Sequence, residues 1–162
     1  MDKRWEAVLI AAACTIVMII ILVYFLDSRF SNPEIWSEGI GRLELQNGSG
    51  SMQGNVYLAV TSEEQAYGLM YQKSIGDCNG AGNCMGMLFI FNNVSRECFW
   101  MENTIIPLRQ YWITNNTITG VVNGTPYSVT PYCHYGNMVL ETNINSTIVP
   151  GYKVYLEGNS IR

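Results

Sequence analysis

ECFWMENTIIPLRQYWI, residues 97–113, is the stretch that decides the fold. Its first part, ECFWM, and its last part, which continues as RQYWIT (109–114), are rich in the aromatic and branched residues that favour β-strands. Between them, Asn103 and Thr104 end the first strand and begin an irregular turn before Pro107. An amide and a hydroxyl at such a place can hydrogen-bond the neighbouring backbone and hold a sharp corner. The stretch therefore predicts two strands joined by a built turn.

Further segments of the chain have the period of two, or the composition, of strands. Leu43 and Leu45 alternate with polar residues, and a second alternating segment, 56–60, follows the flexible connection NGSGSMQG (47–54), which predicts a hairpin. Asn115 and Asn116 predict a tight turn between two other strands. The remaining predicted strands are MLFIF (87–91), which we expect to be buried on both faces, TITGVV (117–122), MVLET (138–142) and YKVYLE (152–157).

The segment TSEEQAYGLM (61–70) predicts the one short helix of this part of the chain. Thr61 followed three residues later by Glu64 forms a capping box, and Gly68 falls near the end of the segment. With the strands, it predicts a mainly β (α+β) fold, a compact, mostly antiparallel, β-barrel-like domain.

Residues 7–26, AVLIAAACTIVMIIILVYFL, carry no charge, and a helix of that length spans about 30 Å, the hydrocarbon thickness of a bilayer. We predict a transmembrane helix, because the apolar stretch of a cleaved signal peptide is shorter and ends in small residues. Lys3 and Arg4 precede it, which predicts a cytoplasmic amino terminus. The predicted organisation is a cytoplasmic tail (1–6), the helix (7–26), a stalk (27–40) and an extracytoplasmic domain (41–162).

Cysteines and glycosylation sequons predict the same location, a single-pass protein of the cell membrane with its domain outside the cytoplasm. The four cysteines after the helix form no C-x-x-C pair, so they favour disulfides in an oxidising compartment. Of the three possible pairings we predict Cys78–Cys84 with Cys98–Cys133. The candidate glycosylation sites are Asn47, Asn93, Asn115, Asn123 and Asn145.

Charge excludes one class of partner. From residue 27 onward, seven Lys and Arg face eleven Asp and Glu, a net charge of −4. The sequence offers no basic stripe for a phosphate backbone, so we predict no nucleic-acid partner.

Several segments together resemble the family called domain of unknown function 192 (DUF192). They are VYLAVTSEEQAYGLMYQ (56–72), GMLFIF (86–91), FWMENTIIPL (99–108) and VLET (139–142). The resemblance covers most of residues 54–157 and implies a small β-rich fold in which these motifs converge, without an assigned reaction. The family more often has Lys and Asp where this chain has Glu102 and Arg109, and the reversal of both signs predicts a mutual ion pair.

The candidate site residues follow from the same motifs. Trp100 could stack on a ligand, with Asn103 and Thr104 orienting it and Met70 and Met101 completing a pocket at the strand ends. Such a pocket would suit a small molecule, a sugar or a peptide. Glu141, in the apolar strand MVLET, could supply an acid or base if it is buried, which makes Glu141, Asn103 and Thr104 the catalytic candidates.

Two other chemistries are weaker alternatives. Cys98 could be a nucleophile with His134 as its base, although the even number of cysteines argues against a free thiol. Soft ligands for Cu(I) are available, but methionines in apolar segments more often fill gaps in a core, so we predict no bound metal and no cofactor. These ligands are Met70, Met85, Met87, Met101, Met138 and His134.

The sequence thus predicts a membrane-anchored domain that serves as a ligand-binding or accessory module at the cell surface. A hydrolase that uses Glu141 with Asn103 and Thr104 is the first alternative. A domain that handles Cu(I) is the second.

Overall fold

The computed structural model describes residues 12–23, 39–76, 78 and 82–157. The chain divides into two units, Met1–Glu34 and Ile35–Arg162. In the first unit, residues 12–23 form a helix, α1, and the side chains of residues 16–23 are 48% to 67% exposed.

Among the described residues, no helix has both the length and the apolar character that a membrane crossing requires. The predicted segment 7–26 continues beyond α1 at both ends, and residues 7–11 and 24–26 lie outside the described residues. The predicted tail and residues 27–38 of the predicted stalk lie outside them as well.

The described part of the second unit contains seven strands and one helix. They are β1 (Ile40–Asn47), β2 (Gly50–Ala59), α2 (Ser62–Tyr67), β3 (Cys84–Phe99), β4 (Leu108–Thr114), β5 (Thr117–Gly124), β6 (Tyr132–Asn143) and β7 (Lys153–Glu157). The strands form one closed sheet in the order β1-β2-β3-β6-β4-β5-β7, and β7 pairs back onto β1. Every pair is antiparallel except β2–β3, which is parallel. The prediction of a mainly β, mostly antiparallel domain is confirmed, whereas the parallel pair was not predicted.

Local features of the chain follow the sequence closely. The capping box at the start of α2 is confirmed, since the Thr61 hydroxyl accepts from the Glu64 amide at 3.2 Å and the Glu64 carboxylate accepts from the Thr61 amide at 2.9 Å. Gly68 ends α2 with a φ of 50°, a conformation that glycine adopts at little cost. Asn115 and Asn116 also have positive φ, as a two-residue hairpin turn requires.

One strand differs from the prediction. The segments MLFIF and ECFWM are parts of the single 16-residue strand β3, whose pairing with β6 is irregular between Ile90 and Ser95. Because β3 ends at Phe99, Trp100 and Met101 lie in the turn that follows it. A bulge of this kind bends a strand without ending it, so two predicted strands become one.

The central strands separate two apolar clusters because side chains alternate between the faces of a sheet. The inner cluster takes residues from all seven strands, among them Leu88 and Leu140, and therefore lies inside the closed sheet. The outer cluster contains Met87, Phe89 and Val139 together with residues from the loops and turns outside the strands. Met87, Leu88 and Phe89 are all at most 1% exposed, which confirms burial on both faces for these residues, whereas Ile90 and Phe91 are half-buried.

Both predicted disulfides are confirmed. Cys98 and Cys133 lie directly opposite each other on β3 and β6, with Cα atoms 4.1 Å apart, and Cys78 is bonded to Cys84. The Cys98–Cys133 bridge joins residues that are 35 positions apart in the sequence, and the Cys78–Cys84 bridge joins residues that are 6 positions apart.

The predicted Glu102–Arg109 ion pair is wrong. Arg109 lies opposite Asn123 on β5, and its Nε donates to the Asn123 Oδ1 at 2.9 Å, while another of its nitrogens donates to the Ser146 carbonyl. The guanidinium is therefore turned across the sheet, away from the preceding turn. Among the described residues the ion pair that forms is Arg42–Glu157, at 3.4 Å.

The two disulfides should contribute unequally to stability. Replacing Cys98 and Cys133 by Ser should lower the free energy of unfolding by roughly 4 kcal/mol, against roughly 2 kcal/mol for the pair Cys78 and Cys84, because the longer closed loop restricts the unfolded chain more. Denaturant unfolding of the full chain in detergent micelles measures both. A Cys14→Ser background removes the free thiol, and equal losses from the two double variants would contradict this ranking.

Candidate functional site

A cavity of about 340 Å³ lies beside α2, on the outer face of the sheet. It is bounded by residues 65–70, by parts of β3, and by the turn that follows β3. Trp100, which is 49% exposed, Thr104 and Glu141 also line it. The cavity therefore joins an exposed indole, a buried hydroxyl and a buried carboxyl.

The register of the central strands places Glu141 in this cavity. On β6, Glu141 lies between Met87 of β3 and Gln110 of β4, and it shares a face with Val139 of the outer cluster. Its neighbour Leu140 points into the inner cluster. An acid is thus placed beside Gln110 on a mostly apolar face, where it is 4% exposed.

The environment of Glu141 favours its neutral form. Burial raises the pKa of the Glu141 carboxyl from its ordinary value of 4.5 to about 7, and the hydrogen bond from Gln110 opposes part of that rise. Gln110 Nε2 donates to Glu141 Oε1 at 2.9 Å. The other Gln110 amide atom, Oε1, is buried without a partner among the described residues, and a protonated carboxyl brings a hydrogen donor to this pair.

The second oxygen of Glu141, Oε2, makes no hydrogen bond among the described residues. Since Glu141 lines the cavity, we infer that Oε2 faces it. A ligand could therefore reach this oxygen.

The turn after β3 holds the other side of the cavity, and the predicted side-chain bond to neighbouring backbone is present for the Thr104 hydroxyl but not for the Asn103 amide, which contacts a sulfur atom. Asn103 has a φ of 55°, and its carbonyl accepts from the Tyr71 amide at 2.9 Å. The Thr104 amide donates to the Met101 carbonyl at 3.1 Å, and the Thr104 hydroxyl donates to the Glu102 carbonyl at 3.3 Å. The two Thr104 bonds lie within the turn, and the Asn103 bond connects the turn to the segment after α2.

The structure brings together four of the predicted site residues and leaves two out. Met70, Trp100, Thr104 and Glu141 all line the cavity. Met101 does not, because it points into the outer cluster and is fully buried. Asn103 is not part of the lining either, and its amide instead contacts the Met70 sulfur at 3.9 Å.

Sequence reasoning missed the residues that surround this group. Phe91, Phe99 and Tyr67 contribute rings to the lining, and Gln65 donates to the Ile90 carbonyl at 2.7 Å, which fastens α2 to β3. Gln110, a polar residue between apolar neighbours in a buried strand, is the one that the sequence could have marked as a partner for a buried acid.

The two weaker alternatives do not fit the arrangement of their residues. Cys98 is bonded to Cys133, so it has no thiolate to act as a nucleophile, and that hypothesis is wrong. The proposed copper ligands are divided between regions of the domain: Met87 and Met101 belong to the outer cluster, whereas Met85 and Met138 pack on the inner one.

Glu141 should make the stability of the domain depend on pH. The pKa of Glu141 is higher in the folded state than in the unfolded state, so its contribution to stability is fully present below about pH 4.5. That contribution is lost as the pH rises through about 7, and the free energy of unfolding should fall by roughly 3 kcal/mol over this range. Unfolding midpoints of the full chain across this range measure the slope. Glu141→Gln is the matched control, since it cannot ionise; an equal slope in that variant would assign the effect to another group.

Among curated proteins, none matches the chain. A solved structure of a candidate transcription regulator from Sinorhizobium meliloti 1021 is 26% identical, with a TM-score of 0.65 over 73% of this chain and 94% of that one. A protein of unknown function from Novosphingobium aromaticivorans DSM 12444 is 33% identical, with a TM-score of 0.63 over 72% and 84% of the two chains.

The family model of DUF192, described as an uncharacterized ACR, matches residues 44–154. The matched range runs from β1 to β7 and includes α2 and every residue that lines the cavity. The chain belongs to the DUF192 family.

Proposed function

We propose that this chain is a membrane-anchored protein whose outer domain binds a small ligand in the cavity beside α2. The observation that carries the proposal is the lining itself, which combines a half-exposed indole at Trp100 with the carboxyl of the buried Glu141. A concave, largely apolar site with a few convergent polar groups is the usual form of a small-molecule site. Its volume of about 340 Å³ suits a small ligand.

Three features support an anchored domain outside the cytoplasm. The apolar side chains of residues 16–23 are exposed, as a lipid-facing helix requires. Two disulfides cross-link the domain, and such bonds persist in oxidising compartments. All five sequon asparagines are exposed and could accept a glycan: Asn47, Asn93, Asn115, Asn123 and Asn145.

The name of the Sinorhizobium meliloti protein suggests a rival function, regulation of transcription. Charge argues against extending it to this chain, because residues 27–162 carry a net charge of −4 and a DNA-binding surface needs clustered basic residues.

A hydrolase is the second candidate, favoured by the raised pKa of Glu141. A carboxyl with a pKa of about 7 can both give and take a proton near neutral pH. Thr104 lines the cavity together with Glu141, whereas Asn103 does not. Of the three predicted catalytic candidates, Glu141 and Thr104 therefore remain. Loss of turnover in Glu141→Gln with an unchanged unfolding midpoint at low pH would favour this candidate over a binding module.

Trp100→Ala should weaken ligand binding by roughly tenfold, because an aromatic ring at the centre of a site commonly contributes that much. Ligand-observed NMR with a library of neutral and cationic fragments, on the full chain in phospholipid nanodiscs, provides the measurement. Tyr155→Ala removes an exposed ring on β7 that does not line the cavity, and it should leave affinities unchanged. Equal losses in the two variants, or no fragment bound by the wild type, would contradict the proposal.

The anchored topology predicts the outcome of proteolysis on intact cells. An added protease should remove a tag placed after Arg162 and spare a tag placed before Met1, because only the former lies outside the membrane. Disrupted cells, in which both tags should be lost, are the control. A protected carboxyl-terminal tag in intact cells would overturn the topology.

A further inference from the structure

The cavity beside α2 contains acids and aromatic rings but, among the described residues that line it, no Lys, Arg or His. Glu97 and Glu141 are its two acidic residues. An anionic ligand would have to give up its hydration beside these two groups with no cation to compensate, which makes it an unfavourable occupant.

The aromatic rings of the lining can attract a cationic ligand. Tyr67, Phe91, Phe99 and Trp100 contribute aromatic surfaces to the lining. Phe99 meets Phe89 and Phe91 edge to face, with centroids 4.8 and 6.4 Å apart, so these rings form one connected wall. The face of an aromatic ring carries partial negative charge and attracts a cation within about 6 Å of its centre.

We propose that the ligand of this cavity is a small organic cation, an alkylammonium held by the aromatic wall and by the open oxygen of Glu141. This inference rests on the proposed function, and it names the class of ligand that the site would select. Neutral molecules of the same shape would keep the apolar contacts but lose the attraction to the rings and to the carboxylate.

Binding of a cation should be coupled to the ionisation of Glu141. The groups that face this residue from the strands beside it are Met87 and Gln110, neither of which titrates. The other titratable residues of the lining are Tyr67 and Glu97. Burial, and then the neighbouring Tyr71, raise the pKa of the Tyr67 phenol above its ordinary value of 10.0, so Tyr67 stays neutral near pH 7. Glu141, with a pKa of about 7, is therefore the residue whose charge should change with the ligand.

The test compares choline with 3,3-dimethylbutanol, a neutral molecule of nearly the same shape, on the full chain in dodecyl maltoside micelles, whose detergent carries no ammonium group. Affinities from ligand-observed NMR titrations should favour choline by at least tenfold at about pH 8. The affinity for choline should fall about tenfold at about pH 6, where Glu141 is protonated, while that for the neutral molecule should not change.

Glu141→Gln should remove the pH dependence of choline binding and reduce its preference over the neutral molecule. Glu102→Gln removes an acid from the turn that does not line the cavity and should retain both. Equal binding of the two probes, both weakened by Trp100→Ala, would overturn the cation proposal and leave the binding function in place. Failure of both probes, together with the failure of all fragments, would overturn the two proposals together.

Discussion

The pairing of β6 with both β3 and β4 is the constraint on which the rest of this domain depends. These strands are far apart in the sequence, and the closed sheet brings them side by side. The same pairing sets Cys98 against Cys133 at one end of β6 and Glu141 against Gln110 at the other. Because side chains alternate along a strand, one register fixes the two apolar clusters, the longer disulfide and the position of the buried acid.

The buried pair formed by Gln110 and Glu141 stabilises the fold less well than apolar residues could. Both side chains are buried in the outer cluster, and one amide oxygen lacks a partner among the described residues. Replacing two such polar groups by apolar residues of the same shape is often neutral or stabilising. A buried acid that lines a cavity is better explained by a role in that cavity than by its contribution to stability.

Much of the fold could be predicted because it is encoded locally. The cap at Thr61, the end of α2 at Gly68 and the turn at Asn115 and Asn116 each depend on the conformational preferences of one or two residues. The disulfides could be predicted from the even number of cysteines after residue 26 and from their spacing, which lacks the C-x-x-C pairs of a zinc site.

What the sequence could not supply are the contacts that depend on register. Pairing Glu102 with Arg109 relied on their nearness in the sequence, but Arg109 bonds to Asn123, its neighbour across the sheet. The same limitation applies to the parallel pair β2–β3 and to the contact between Gln110 and Glu141. Trp100, Thr104 and Glu141 were predicted as members of one pocket on chemical grounds, and the register of β6 is what places Glu141 on the face where that pocket lies.

The two faces of the sheet explain why the cavity lies where it does. The interior of a closed sheet of this size is filled by its own side chains, and here all seven strands contribute to that packing. On the outer face the cover consists of a six-residue helix, the segment that follows it, the turn after β3 and other loop residues. The cavity is therefore the gap between a regular sheet and an irregular cover. The positive φ of Asn103 and the hydrogen bonds of Thr104 hold the turn, whereas the pairing of β6 with β3 and β4 holds Glu141, so the two sides of the cavity depend on separate interactions.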